Sequence, residues 1–230
     1  MDAEIRALPV HNTPNERAIR RKYSQRLKGA EATFVLAVAR ELFQNCGHRW
    51  IACELIAGHK AAFRSIGEAD LEEFGRGINS WWTVDAFART LAGPAWLRGQ
   101  VSDELIHKWA CSEDRWWRRA ALVSTVALNM RSKGGPGDVP RTLSVCRLLV
   151  ADHGDMVAKA MSWVLRELVV HDADAVREFL RAHEDVLAAR VKREVRSKLT
   201  TGLKNPRRKS AESMPREEKD VHLVLYGEKI

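Results

Sequence analysis

Apolar residues in this chain recur every three or four positions rather than every two. Phe34, Val35, Val38 and Leu42 share one helical face, as do Leu122, Val126 and Met130. Seven prolines punctuate the pattern, and no stretch within the first 200 residues alternates as a half-buried strand would. The spacing predicts helices over 15–27, 31–45, 48–59, 69–77, 81–91, 101–110, 115–131, 140–152, 155–170, 173–183 and 187–201. At the first of these Thr13 is placed as N-cap, Pro14 at the first helical position and Glu16 as the partner in a capping box. An all-α fold follows.

The helices fall into pairs of a shorter and a longer member. Aligning the longer members puts Trp50, Trp82, Trp117 and Val157 in register, at separations of 32, 35 and 40 residues. A period in that range is expected of HEAT-like two-helix repeats, which bury their apolar sides only against neighbouring repeats and form an α-α superhelix, or solenoid. Residues 132–138 read as a loop between repeats. One domain is expected over 1–202. The polar, charged stretch that follows predicts a disordered tail over 203–230, containing a short apolar run at 221–226.

Composition adds charge to this picture. The chain has 230 residues and a formal charge of +8, so an anionic partner fits. The charge is concentrated: residues 14–28 carry six Lys/Arg against Glu16, and residues 186–200 carry five against Glu194. Either run can flank a polyanion or simply form a solvated helix face; the expectation here is a concave basic face. No apolar run reaches membrane-spanning length and no signal-peptide core is present, so the cytoplasm (a bacterial cytosol and nucleoid) is the expected location and no membrane partner is expected. Four cysteines without a CxxC pair argue against a disulfide framework. The cluster Cys46, His48, Cys53 and His59 fits no common zinc spacing. There is no Gly-rich phosphate loop, HExxH motif or nucleophile elbow, so neither a metal nor a small-molecule cofactor is expected.

The chemistry is concentrated in three tryptophan-bearing segments: Trp81-Trp82-Thr83-Val84-Asp85, Arg115-Trp116-Trp117-Arg118-Arg119 and Lys159-Ala160-Met161-Ser162-Trp163. Trp81 and Asp85 are four apart and share a helical face. Arg119 falls beside the Asp85 register one repeat later, and Lys159 takes that register in the next, with Trp163 one turn beyond. Stacked repeats would gather Trp81, Asp85, Arg119 and Trp163 on one wall. Two indole faces attract a cation by roughly 0.5–2 kcal/mol each. A carboxylate beside them can stabilise positive charge developing on a sugar ring, and an arginine offers a forked donor to phosphate. The blander readings stand alongside. Trp50, Trp96, Trp109 and Trp116 are assigned to the core, and Trp82 and Trp117 to packing between helices. Asp85 falls in the first turn of its expected helix, where it could act as a cap, and Arg119 could pair with Asp85 or Glu113.

Through Thr13-Pro14-x-x-Arg17, Trp81-x-x-x-Asp85, Trp116-x-x-Arg119-Ala120-Ala121 and Lys159-Ala160-x-x-Trp163-Val164-Leu165-Arg166-Glu167, residues 13–200 resemble the DNA alkylation repair family of HEAT-like-repeat DNA glycosylases. The resemblance implies excision of cationic N3- or N7-alkylated purines from duplex DNA, without a deep base-flipping pocket. It implies that Asp85, Trp81 and Trp163 surround the lesion nucleotide and that Arg119 lies near the backbone. Lys159, Arg166, Arg190, Lys192 and Arg193 are the further expected DNA anchors. Family members usually carry another helix before the Thr-Pro segment; with twelve residues before Thr13, that helix is expected to be absent or vestigial.

The expected function is therefore a monofunctional alkylpurine DNA glycosylase of base excision repair, with damaged double-stranded DNA as partner and a monomer as working unit. A non-catalytic binder of damaged or branched DNA and a helical-repeat protein scaffold are the alternatives. The joint Trp/Asp/Arg set separates them, because a scaffold has no need of it.

Overall fold

The computed structural model describes residues 1–205. The 221–226 run and nearly all of the expected tail lie outside them. Among the described residues every regular element is helical: α1 (Asp2–Arg6), α2 (Thr13–Arg26), α3 (Ala32–Gln44), α4 (Arg49–Gly58), α5 (Lys60–Ser65), α6 (Glu68–Gly75), α7 (Trp81–Phe87), α8 (Gly93–Leu97), α9 (Asp103–Ala110), α10 (Arg115–Asn129), α11 (Val139–Leu148), α12 (Asp155–Leu168), α13 (Ala173–Ala182) and α14 (Ala189–Thr201). A π-helical turn over Ala88–Ala92 joins α7 to α8, and a 3₁₀ turn covers Arg131–Lys133.

These helices form a two-layer solenoid. In one layer α2, α4, α7, α10, α12 and α14 pack each against the next. The other layer is built from helices such as α3, α9, α11 and α13, which precede or follow their inner partners in sequence. One apolar core runs from Val35 on α3 to Val195 on α14, and a smaller cluster of Ile5, Ile19 and Ile51 seals the N-terminal end. Local chemistry sets the helix starts. Ser80, Ser102, Asp114, Asp138 and Asp172 each accept a backbone N–H from the first turn of the helix that follows, satisfying donors that have no intrahelical acceptor.

Several expected boundaries shift, each for an identifiable reason. Asn12, not Thr13, caps α2, its side chain accepting the Asn15 N–H; Pro14 therefore lies one position further in and Glu16 is displaced from the capping-box position. The segment before Thr13 forms the short α1, held by Asp2 bonded to His48 and Arg6 and by buried Ile5. The helix expected over 48–59 stops at Gly58, where His59 turns extended and its ring nitrogen caps a separate helix, α5.

The largest departure follows α7. A helix expected to end at residue 91 continues to Leu97 through Gly93-Pro94. Proline in an α-helix clashes with the carbonyl four residues back. Here the ladder widens first: the Gly93 N–H donates to the Ala88 carbonyl, five residues back. The π turn makes room for Pro94 and keeps the helix running. Gly93 is needed on the other side, because a Cβ there would lie 2.4 Å from the Ser124 carbonyl oxygen on α10. Gly93→Ala is expected to cost about 2 kcal/mol despite its better helix propensity. Gly58→Ala, where the new Cβ meets only ordinary contacts, is expected to be neutral or slightly stabilising. Denaturant unfolding of the two variants checks the difference.

Candidate functional site

The three tryptophan segments meet in the layer formed by α7, α10 and α12. Ser80 caps α7 and sets its phase, so that Trp81 and Asp85 project from successive turns of one side. Asp85 is the fifth residue of the helix and therefore lies beyond the first turn; the capping role is excluded. Its carboxylate accepts two parallel hydrogen bonds from Arg119 on α10, Nε to Oδ1 and Nη2 to Oδ2, both 2.9 Å. The third nitrogen, Nη1, donates to the Met156 carbonyl on α12 at 2.6 Å. One guanidinium thus joins three consecutive inner helices.

This geometry changes the expected division of labour. Arg119, expected as a phosphate contact, is 5% exposed and spends all three nitrogens on Asp85 and Met156. Of the two partners offered by the sequence it takes Asp85, not Glu113. The Asp85 side chain keeps 18% of its surface open. Burial pushes its carboxyl above the ordinary 3.8, against the opposing pull of Arg119 and, more distantly, Arg89.

Asp85 stands in the wall of a cavity of about 250 Å³ between α4 and α7, bounded also by Trp50, Trp81, Trp82, Glu54 and Arg89. Trp81 is exposed, and its ring meets that of Trp82 edge-on at 5.8 Å; Trp82 meets Trp50 edge-on at 6.2 Å. Trp96 and Trp109 are in the core as expected, whereas Trp50 is only partly buried and belongs to the cavity wall. Trp82, 42% exposed, lines the same space instead of being sealed between helices. Trp117 does pack between helices, against Phe87 and Trp109.

Trp163 on α12 is half-buried, and its indole N–H donates to Glu167 at 2.9 Å. It lies outside the cavity wall but is connected to it by Arg89, which lines the cavity and holds its guanidinium 5.3 Å from the Trp163 ring centre. The cation that Trp163 is suited to attract is therefore supplied, in the free protein, by the chain itself. Arg89 Nε is buried without a hydrogen-bond partner.

Sequence reasoning missed Arg89, Trp50 and Glu54. For the last two a signal was available, because Trp50-x-x-x-Glu54 repeats the Trp81-x-x-x-Asp85 spacing one repeat earlier. The parallel extends to the arginine: Arg17 donates Nε and Nη2 to Glu54, at 2.9 and 2.7 Å, and Arg20 approaches from the other side at 3.2 Å. Two carboxylates, each held by an arginine from a neighbouring inner helix, face one cavity.

The other expected cations are distributed less uniformly. Lys159 pairs with Asp155 at 2.7 Å, and Arg190 reaches both Asp155 and Glu194. Arg193 is largely exposed beside Glu194. Lys192 turns away, donating to the Glu184 carbonyl on the segment after α13. Arg166 donates to the Ser162 hydroxyl, which donates in turn to buried Glu194 at 2.6 Å. Burial would raise the Glu194 carboxyl, but the Ser162 hydrogen bond and the charges of Lys204 and Arg166 outweigh it and hold the group below its ordinary value. Glu194 thus fixes the cations of α14 against α12.

Removing one partner from the central ion pair leaves the other with few alternatives. Arg119→Met is expected to lower stability by about 3 kcal/mol near neutral pH. In the variant an ionised Asp85 has no counter-charge and its pKa rises further without the pull of Arg119; because the neutral form needs no partner, the deficit should shrink as the pH is lowered from neutral into the acid range. Urea unfolding of wild type and variant at neutral and acid pH measures this.

Among curated proteins, none matches the chain. The sequence model of the family described as DNA alkylation repair enzyme matches residues 7–199, and the chain belongs to that family. No described helix is long and apolar enough to cross a membrane.

Proposed function

Taking membership of the DNA alkylation repair family as the premise, we propose that this protein is a monofunctional DNA glycosylase that releases cationic N3- or N7-alkylated purines from duplex DNA. The observation that carries the reading is a partly accessible carboxylate, Asp85, locked by two hydrogen bonds at the edge of an indole-walled cavity. An alkylated purine already carries positive charge, so it needs no acid to depart. When the C1′–N bond breaks, both bonding electrons leave with the base, which departs neutral, and positive charge appears on the sugar. Asp85, held in place and largely shielded from water, stabilises that charge without having to reorient. It also orients a water whose oxygen bonds to C1′ and whose proton passes to the carboxylate, leaving an abasic site and a free base.

Each neighbour has a distinct part in this reading. Trp81 and Trp163 flank the sugar and the cationic base through their ring faces. Arg119 positions Asp85 rather than contacting phosphate. Its two-point grip fixes the carboxylate rotamer without an induced rearrangement, which is how electrostatic catalysis avoids reorganisation cost. Lys159, Arg166, Arg190 and Arg193 supply charge for the backbone along α12 and α14; Lys192, tied to Glu184, is the weakest of the proposed anchors. The protein works as a monomer, because the groups it needs come from one chain.

Asp85→Asn keeps the shape and part of the hydrogen bonding to Arg119 while removing the charge. Single-turnover release of 7-methylpurine from methylated duplex should fall by about 10²-fold or more, with duplex affinity changed far less. An equal loss of both would assign Asp85 to structure. Salt-dependent binding by the wild type without any base release would leave the chain as a DNA-binding protein. Base release by the wild type should also decline as pH falls through the Asp85 pKa, since the ionised form acts, and this acid limb should lie above 3.8. The limb should be missing from the residual activity of Asp85→Asn.

A further inference from the structure

The inter-helix groove that holds Asp85 does not end at the cavity described above. Thr90, in the π turn, lines that cavity and also a second one of about 300 Å³ further along the same helices. The second cavity is bounded by Lys60 and Arg64 of α5 and by Arg98 at the end of α8, with Phe63 and Pro94 as its apolar floor. Among the described residues no acidic one lines it. The nearby carboxylates are engaged elsewhere: Glu54 with Arg17, Glu68 with Ser102, Glu72 with Lys108, and Asp70 and Glu73 with Arg40. Among the described residues none of the three cations has a carboxylate within 4 Å, whereas most of the cations expected to bind DNA do.

The fold brings these cations together by two backbone devices. The break at His59 starts α5 as a separate helix, and Lys60 and Arg64, four apart, share one side of it. The π turn carries the helix past Pro94 and so delivers Arg98 to the same place. The Arg98 guanidinium rests 4.7 Å from the centre of the Phe63 ring, which is itself only 6% exposed. A stacked arginine loses less conformational freedom on meeting an anion than a free one. Three mutually repelling cations around an acid-free cavity are the arrangement expected for a phosphate.

We propose that Lys60, Arg64 and Arg98 form a second backbone-phosphate subsite of the DNA groove, remote from the lesion. The inference rests on the reading of Asp85 as the lesion-facing group. Arg98 lies thirteen positions after Asp85, so at about 1.5 Å per residue the subsite lies roughly 20 Å along the helix axis. That is out of reach of the reacting nucleotide. It is within reach of phosphates about half a helical turn away, since one turn of duplex is about 34 Å. The subsite would fix the register of the duplex on the protein while touching no reacting atom.

The test uses the full chain with Lys60→Gln, Arg64→Gln and Arg98→Gln, singly and combined, beside an Arg177→Gln/Arg181→Gln control that removes charge from the exposed side of α13. Affinity for undamaged duplex is measured across a salt series. The combined variant should bind roughly tenfold more weakly and reduce the slope of log K against log salt by about one to two, near 0.9 for each phosphate that is no longer neutralised. The control should do neither. With lesion-bearing duplexes measured in the same way, the loss of affinity should appear when the duplex extends well over half a turn to both sides of the lesion and disappear with one of only about six base pairs. Single-turnover base release at saturating protein should be unchanged in the combined variant. A slope equal to wild type overturns the subsite, as does wild-type binding of inorganic phosphate or a nucleoside triphosphate that the triple variant loses while duplex affinity stays intact. Absence of base release from the wild type would instead count against the glycosylase reading and leave the salt slopes to decide the subsite. The three side chains are exposed, so folding should be retained; Lys60→Gln alone gives the same slope test with the smallest perturbation.

Discussion

The bidentate bond between Arg119 and Asp85 is the contact on which the rest of the site depends. A guanidinium this far from water must satisfy its donors within the protein, and it does so by joining three successive helices: its own, the carboxylate of α7 and a backbone carbonyl of α12. The same bonds oppose, without cancelling, the burial that raises the Asp85 pKa. Structure and chemistry are therefore joined in a single pair. The charge that the proposed chemistry needs at C1′ is kept in place by the interaction that registers one repeat on the next.

That arrangement has a counterpart one repeat earlier, where Arg17 grips Glu54 and Trp50 stands a turn away. The likeness is one of components and not of register, since Arg17 reaches Glu54 from the preceding inner helix and Arg119 reaches Asp85 from the following one. The two sets place two indole–carboxylate pairs on facing walls of one cavity and give the groove a graded character. Aromatic and acidic groups stand at one end, a set of cations without acids at the other. The π turn between them is what keeps the groove continuous, because a regular helix would have stopped at Pro94. Arg89, leaving the same turn toward Trp163, extends the site to α12.

Much of this was legible in the chain. The 3.6-residue period implied an all-helical solenoid, and the repeat register alone put Trp81, Asp85 and Arg119 next to one another. Those inferences rest on separations of a few residues, or on a period that superposes whole units, and both are properties of the string itself. The same local rules failed where several residues compete for one cap, as Asn12 did with Thr13. They failed again where a helix tolerates a proline by widening its ladder at Ala88–Ala92.

What the sequence determined by itself was the period, the fold class and the identity of the groups that could act. Only the tertiary structure decided how those groups are used, since burial and partners are set by segments far apart in the chain. It turned Arg119 from an expected phosphate contact into the holder of Asp85, with the two groups 34 residues apart in sequence. It placed Arg89 over Trp163 and tied Lys192 to Glu184. It also gathered Lys60, Arg64 and Arg98 around one cavity. A charged side chain has the same formula wherever it lies, and its function depends on which opposite charges and how much water the packed helices leave beside it.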